Sequence, residues 1–258
     1  MMPMNEPIRD WAGRRVWIVG ASSGIGAALA RRLASLGARL ALSARGREKL
    51  EAVAADCPGA VIVPMDVACS EDQARAVDSV VAALGGIDLA VFAAGAYRPV
   101  RAWELDPDEI RGTIATNLTG TMEGVARVVR PMLARGGGAV AMVASVAGYC
   151  GLPKAAIYGP TKAALINFAE VAHLDLAPKG VSVFLINPGF VATPLTAQND
   201  FHMPALITPE EAAREIVAGF AAGRFEIHFP RRFTRALKFV AWLPRRLSFA
   251  LVKKATGL

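Results

Sequence analysis

Short apolar runs alternate with amphipathic segments along most of this chain, and that alternation limits the fold more than any other feature. Residues 15–19, 39–43, 60–64, 87–92, 139–143 and 181–186 are runs of strand length. Between them, residues 26–36, 47–55, 71–84, 107–134 and 157–177 carry apolar side chains at three- and four-residue spacing, the pattern of a helix with one buried face. Strand followed by helix, repeated in this way, requires parallel pairing through right-handed crossovers. The expected architecture is therefore α/β, a doubly wound parallel sheet with helices on both faces.

With 258 residues, 53% of them apolar and 20% charged, the chain can bury a sizeable core and is excluded from the disordered class. No internal repeat or polar linker precedes residue 223, so the expected division is an N-terminal extension (1–13), a single domain (14–230) and a basic amphipathic C-terminal segment (231–258). The uncharged stretches 136–153 and 180–199 are interrupted by glycines, or by Pro188, Gly189 and Pro194, and read as buried strands entering loops rather than membrane spans. Residues 1–10 lack the apolar run of a secretory signal. Cys57, Cys69 and Cys150 form no CxxC pair, which suits a reducing, cytoplasmic location.

The net charge of +7 is concentrated at one end. Residues 224–258 hold nine Lys and Arg against the single acid Glu226, whereas the rest of the chain is close to neutral. Phe233, Leu237, Phe239, Trp242, Leu247, Phe249 and Leu251 alternate with those bases. Two readings stand side by side: peripheral contact with an anionic membrane face, or a helix packed on the domain or a partner subunit with its bases solvated. Nucleic acid is not expected as a partner, because the apolar face exceeds what phosphate contact requires and no nucleic-acid motif accompanies it.

The first run leads into Gly20-Ala-Ser22-Ser23-Gly24-Ile25-Gly26, a glycine-rich turn that opens a helix. Glycines let the backbone approach a ligand, and a helix N-terminus offers unpaired N–H groups to phosphate, so a pyrophosphate fits here. Such a turn can also serve only to pack a helix on a strand, and its GxxxGxG spacing is not GxGxxG. Which dinucleotide binds is set after the second strand, where a carboxylate would take a ribose 2′-hydroxyl and a base a 2′-phosphate. The sequence there is Ser43-Ala44-Arg45-Gly46-Arg47, without an acid. Arg45 can present its fork to phosphate, favouring NADP(H) and leaving NAD(H) as the alternative; its plainer reading is a solvated loop arginine. Asp66, after the third run, can accept from an adenine amino group or cap the following turn.

Ser145 follows the fifth run, and Tyr158 and Lys162 stand four apart at the start of a helix, on one face. A phenol of pKa ~10 is a poor base, and a neighbouring ammonium stabilises its phenolate. The pair suits proton transfer to a carbonyl oxygen, with the Ser145 hydroxyl polarising that oxygen.

Together these elements resemble the short-chain dehydrogenase/reductase family, single-domain type, with its Rossmann-like sheet, over about residues 14–230. The resemblance rests on Gly20, Gly24 and Gly26, then Asp66-Val67, Ala93-Ala94-Gly95, Asn117, Ser145, Tyr158 with Lys162, and Asn187-Pro188-Gly189 with Thr193, in that order. It implies Tyr158 as general acid/base, Lys162 as binder of the nicotinamide ribose that lowers the tyrosine pKa, and Ser145 as substrate-orienting. It further implies Asn117 in a water-mediated proton path, and Pro188, Gly189, Val191 and Thr193 at the nicotinamide end. A homodimer or homotetramer is implied as well. Val19, Ala93 and Pro160 depart from residues common in the family; a proline in a helix's first turn is tolerated.

His173, His202 and His228 are too scattered for a metal site, and none is expected. Cys150 reads as a small wall residue near the substrate mouth. The loop 190–209 is apolar (Phe190, Val191, Leu195, Phe201, Met203, Leu206, Ile207), with Asp200 its one charge, and favours an apolar ketone. The expected activity is interconversion of a carbonyl and an alcohol by hydride transfer with NADPH, on an apolar or lipid-like substrate. The alternative is a catalytically silent dinucleotide-binding sensor or scaffold, against which the intact Ser145, Tyr158 and Lys162 argue.

Overall fold

A computed structural model of the chain describes residues 3–257. Seven strands, β1 (Arg15–Val19), β2 (Arg39–Ser43), β3 (Val61–Ile62), β4 (Leu89–Phe92), β5 (Gly138–Val143), β6 (Val181–Pro188) and β7 (Glu226–Phe229), form one parallel sheet in the order β3-β2-β1-β4-β5-β6-β7. Six lie where the apolar runs place them. The third is shorter than expected because it pairs only with Ala41 and Leu42. The seventh, Glu-Ile-His-Phe, is too short and too polar to stand out as an apolar run.

The strand period of two divides the core into two layers. Val16, Ile18, Leu42, Val91 and Ala141 point to one face, where α1 (Gly24–Ser35), α2 (Arg47–Ala54) and α7 (Pro209–Ala221) cover them. Trp17, Val19, Ala90, Phe92, Val140 and Met142 point to the other, beneath α3 (Ser70–Leu84), α5 (Gly120–Ala134) and α6 (Tyr158–Leu176). The sheet is thus doubly wound, and its strand order reverses between β1 and β4. Ligands of such sheets bind beyond the carboxyl ends of the strands at that switch.

Residues 107–134 do not form one helix. α4 (Pro107–Ile114) passes into a π-helical turn, Ala115–Thr119, before α5 begins. The extra residue in that turn lies beside Asn117, and Gly120 at its end has no room for a Cβ because the Val67 carbonyl occupies the position. Hydrophobic periodicity cannot reveal one inserted residue inside a long amphipathic run. α7 is entered through a capping box between Thr208 and Glu211 with Pro209 at the first position.

Residues 3–13 run along the domain and are anchored to it at Asn5 and Trp11. The Asn5 side chain donates to the Val183 carbonyl at 2.7 Å and accepts from the Val183 N–H at 3.1 Å, and Trp11 lies against Phe220. Beyond β7 follow two helices, α8 (Arg231–Trp242) and α9 (Arg245–Thr256), separated at Leu243-Pro244. Among the described residues no helix is long and apolar enough to cross a membrane.

Candidate active site

A cleft of about 860 Å³ opens above the carboxyl ends of the central strands, and the glycine-rich turn forms its floor. Gly20 has φ +90°, and a Cβ there would lie 2.7 Å from Cα of Ala94 on the next strand end. A Cβ on Gly26 would strike the Gly20 carbonyl group, and Gly24 at φ +54° faces Thr193 across the cleft. These contacts require glycine whether or not a ligand binds. What points to a ligand is the end of α1, which has no acid in its first turn and no side-chain hydrogen bond from its cap residue Ser23. Its N–H groups face the cleft beside Ser22, Ser23 and Ile25, an anion site formed of backbone and positive dipole. The diphosphate of a dinucleotide fits this cradle.

One end of the cleft is basic. Arg45, Arg47 and Lys49 line it around Gly46. Arg47 reaches Glu51 at 3.8 Å, whereas Arg45 makes no ion pair among the described residues. Asp66 and Val67 close the same end, and Asp66 accepts from the Ala68 N–H at 2.9 Å, capping its own turn while lining the cleft. Ala93, Ala94 and Gly95 continue β4 along one wall; Pro188, Gly189, Val191 and Thr193 continue β6 along the other.

At the far end Ser145, Tyr158 and Lys162 come together. Ser145 follows β5, and its Oγ accepts from the Ala147 N–H at 3.1 Å. Tyr158 is the first residue of α6, so Pro160 lies in the first turn, where its missing N–H leaves no bond unmade. Lys162, one turn on and 3% exposed, directs Nζ to the Val143 carbonyl at 2.8 Å and stands 5.4 Å from the centre of the Tyr158 ring. Burial pushes the Tyr158 phenol up to about 12, although hydrogen bonding with Ser145 works the other way, and burial lowers the Lys162 ammonium to about 8. Burial outweighs the lowering of the phenol by the ammonium that the sequence leads one to expect. The ammonium faces the ring and spends its hydrogen bond on a backbone carbonyl, so desolvation prevails.

Asn117 is fully buried and does not line the cleft. Its Oδ1 accepts from the Ala96 N–H at 2.7 Å, while Nδ2 donates to the Ala96 carbonyl at 2.9 Å and to Thr161 Oγ1 at 3.2 Å. The amide therefore ties the loop after β4 to the start of α6.

Two groups escaped the sequence reading. Tyr97 meets the Tyr158 ring edge-on at 4.9 Å and donates its hydroxyl to Asn199 Oδ1 at 2.8 Å. Its position directly after the Ala93-Ala94-Gly95 wall was the available signal. Glu226 on β7 accepts from the Tyr149 hydroxyl at 2.5 Å, from Asn187 Nδ2 at 2.8 Å and from Lys238 of α8. Burial opposes its charge, yet these donors, Lys238 foremost, hold its carboxyl below the usual carboxylate range. No local motif foretells that junction, because its members come from four distant segments.

The loop after β6 closes over the substrate side. Ile207 and Phe190 bridge its ends, Phe190 and Phe201 pack at 5.8 Å, and Asp200 is neutralised by Lys154 at 2.5 Å. Cys150 is half-buried and its thiol is raised by burial. Among the described residues no three His, Cys, Asp or Glu side chains gather as metal ligands.

A family model described as short chain dehydrogenase matches residues 14–203. The chain is 34% identical over 245 residues to an uncharacterized oxidoreductase of Myxococcus xanthus, covering 93% of this chain and 97% of that protein. It is 33% identical over 199 residues to a glucose 1-dehydrogenase of Gluconobacter oxydans, covering 74% of this chain and 75% of the other. Its fold superposes with a TM-score of 0.78 on a 3-ketoacyl-(acyl-carrier-protein) reductase from Brucella melitensis complexed with NADH, at 24% identity over 86% of this chain and 99% of that one.

Proposed function

The chain belongs to the short-chain dehydrogenase/reductase family of oxidoreductases, and from that membership we propose that it interconverts a carbonyl and an alcohol by NADP(H)-dependent hydride transfer. The observation that carries the proposal is the convergence of Ser145, Tyr158 and Lys162 at one end of a cleft whose floor is the open N-terminus of α1. The dinucleotide, when bound, supplies or accepts the hydride. Its diphosphate would be held by the backbone from Gly20 to Gly26, and its nicotinamide end by Pro188, Gly189, Val191 and Thr193.

In the reducing direction the substrate oxygen must gain a proton as it becomes an alkoxide. A phenol held near pKa 12 is fully protonated at neutral pH, so Tyr158 carries that proton at its Oη. The Ser145 hydroxyl donates to the same oxygen and opposes the charge that develops on it. Lys162, 5.4 Å from the centre of the ring, would bind the nicotinamide ribose and, with its ammonium there, favour the phenolate left behind. Tyr97, edge-on to Tyr158, restrains the plane of the ring. Asn117 keeps the Ala96 loop at the distance the site requires.

Arg45 supports NADP(H) over NAD(H), since it lines the cleft without an ion pair among the described residues and could present its guanidinium to a 2′-phosphate. The aromatic and aliphatic loop over the site supports an apolar carbonyl substrate. Exposed Met122 and Leu133 on α5 and Val171 and Leu174 on α6 support a homodimer or homotetramer through those helices. The three unpaired cysteines support a cytoplasmic location. The reading is tested by following NADPH absorbance with a panel of ketones for the parent protein and Tyr158→Phe. Loss of turnover in the variant is the expected result; equal turnover in both removes Tyr158 as the acid.

A further inference from the structure

α8 and α9 divide their residues between a docked face and a free one. Phe233, Thr234, Leu237 and Lys238 face the domain: Thr234 is buried against His228 Nδ1 at 2.6 Å, and Lys238 pairs with Glu226. In α9, Ser248 is the buried residue. Phe239, Trp242, Leu247, Phe249 and Leu251 are all exposed, with Trp242 at 83% and Phe239 at 60%. No core position requires these side chains. Arg231, Arg232, Arg235, Arg245, Arg246, Lys253 and Lys254 are exposed around them, and no acid follows Glu226.

We propose that the free side of α8 and α9 docks on an anionic lipid surface. Charge decides the occupant. A second copy of the chain meeting this side about a two-fold axis would set seven exposed bases against the same seven. Phosphates of nucleic acid would satisfy the bases but leave Phe239, Trp242 and the three exposed residues of α9 in water. An anionic bilayer satisfies both, with headgroups on the arginines and lysines and the apolar side chains at the acyl boundary. Neither helix is long enough to span, so the contact is peripheral.

The docked side of α8 braces the loop that follows β6. Phe233, on the docked side of α8, packs 5.6 Å from Phe190 at the root of the closing loop, and a Cβ on Gly189 would lie 3.0 Å from its ring. Docking through α8 would therefore bear on the loop over the cleft, where an apolar carbonyl compound would enter; that consequence rests on the proposed activity, the docking does not.

The test is flotation of the full chain with phosphatidylcholine vesicles, with and without phosphatidylglycerol. The anionic vesicles should carry at least about tenfold more protein, and raised salt should release it. Phe239→Ser with Trp242→Ser should abolish flotation without unfolding, because both side chains are exposed. Lys253→Glu with Lys254→Glu should weaken it at low salt. Equal flotation on both vesicle types, full flotation of the serine double variant, or a change of oligomeric state in that variant overturns the proposal. Reduction of a water-soluble ketone without vesicles separates the two readings: the serine variant should keep it, and its absence in the parent protein counts against the chemistry alone.

Discussion

Lys162 stands 5.4 Å over the ring of Tyr158 and yet gives its hydrogen bond to the carbonyl of Val143. The two side chains are neighbours without being a hydrogen-bonded pair. Each is shifted toward its neutral form by burial, the phenol up and the ammonium down. Under the proposed reaction, a phenol held in its neutral form would serve as the proton donor to a carbonyl oxygen.

The two directions of reaction should respond differently to pH. Carbonyl reduction needs the phenol and should stay level from pH 6 to about pH 8, whereas alcohol oxidation needs the phenolate and should rise continuously with pH, since Tyr158 is pushed up to about 12. Steady-state rates in both directions check this. Tyr158→Phe should lower both by about 10²- to 10⁴-fold, the range that general acid–base catalysis contributes. A reduction rate that climbs with pH in parallel with oxidation contradicts the assignment.

Lys162 should destabilise the cofactor-free protein. Its pKa falls from 10.5 to about 8 on folding, so the unfolded chain binds more protons between those values and stability rises with pH across that window. Below pH 8 the full penalty applies, about 3 kcal/mol at 1.36 kcal/mol per unit. Lys162→Met should therefore raise the melting temperature at pH 7, with the gain fading toward pH 10, while turnover is lost. Thermal melts of both proteins at the two pH values decide it, and a gain of the same size at both would show that burial of the charge is not the cause.

How much of this was legible in the sequence depended on the range of the interaction. β1 and β2 coincide with their apolar runs because both faces of the strand interior, residues 16–19 and 40–42, are buried. Gly20, Gly24, Gly26, Ser145, Tyr158 and Lys162 stand out in the sequence because each belongs to a short local pattern, and all six line one cleft. α7 was passed over although Thr208, Pro209 and Glu211 spell out its start, a local signal that could have been used. The π-helical turn at Asn117 and the junction of Tyr149, Asn187, Glu226 and Lys238 left no such mark. Both arise from chain segments that meet only when the sheet is complete.

Arg45 should determine which dinucleotide binds. It has no acidic partner to lose among the described residues, so Arg45→Ala should leave stability within about 0.5 kcal/mol of the parent, as for other surface changes. The Kd for NADPH should rise by about tenfold or more, as expected for loss of a charge-assisted contact to phosphate, while the Kd for NADH stays put. Isothermal titration with each dinucleotide measures the difference. An equal loss for both would assign Arg45 to the adenosine or the diphosphate instead.

The glycines of the phosphate turn offer a contrast between close approach and open space. At Gly20 an added Cβ meets Ala93 and Ala94 at 2.7 Å and φ is +90°, so Gly20→Ala must move β1 away from β4 or strain the turn. Overpacking and a left-handed backbone each typically cost 1–3 kcal/mol, which predicts a loss of roughly 3 kcal/mol. Gly46, also at the cleft, has φ −86° and nothing within 4 Å of an added Cβ. Gly46→Ala should fall within about 0.5 kcal/mol of the parent, since a shorter menu of unfolded conformations offsets a slightly poorer helix cap. Urea denaturation of the two variants compares them directly. Similar midpoints would mean that the turn tolerates a side chain, and that its glycines are kept for the ligand rather than for the packing of β1 on β4.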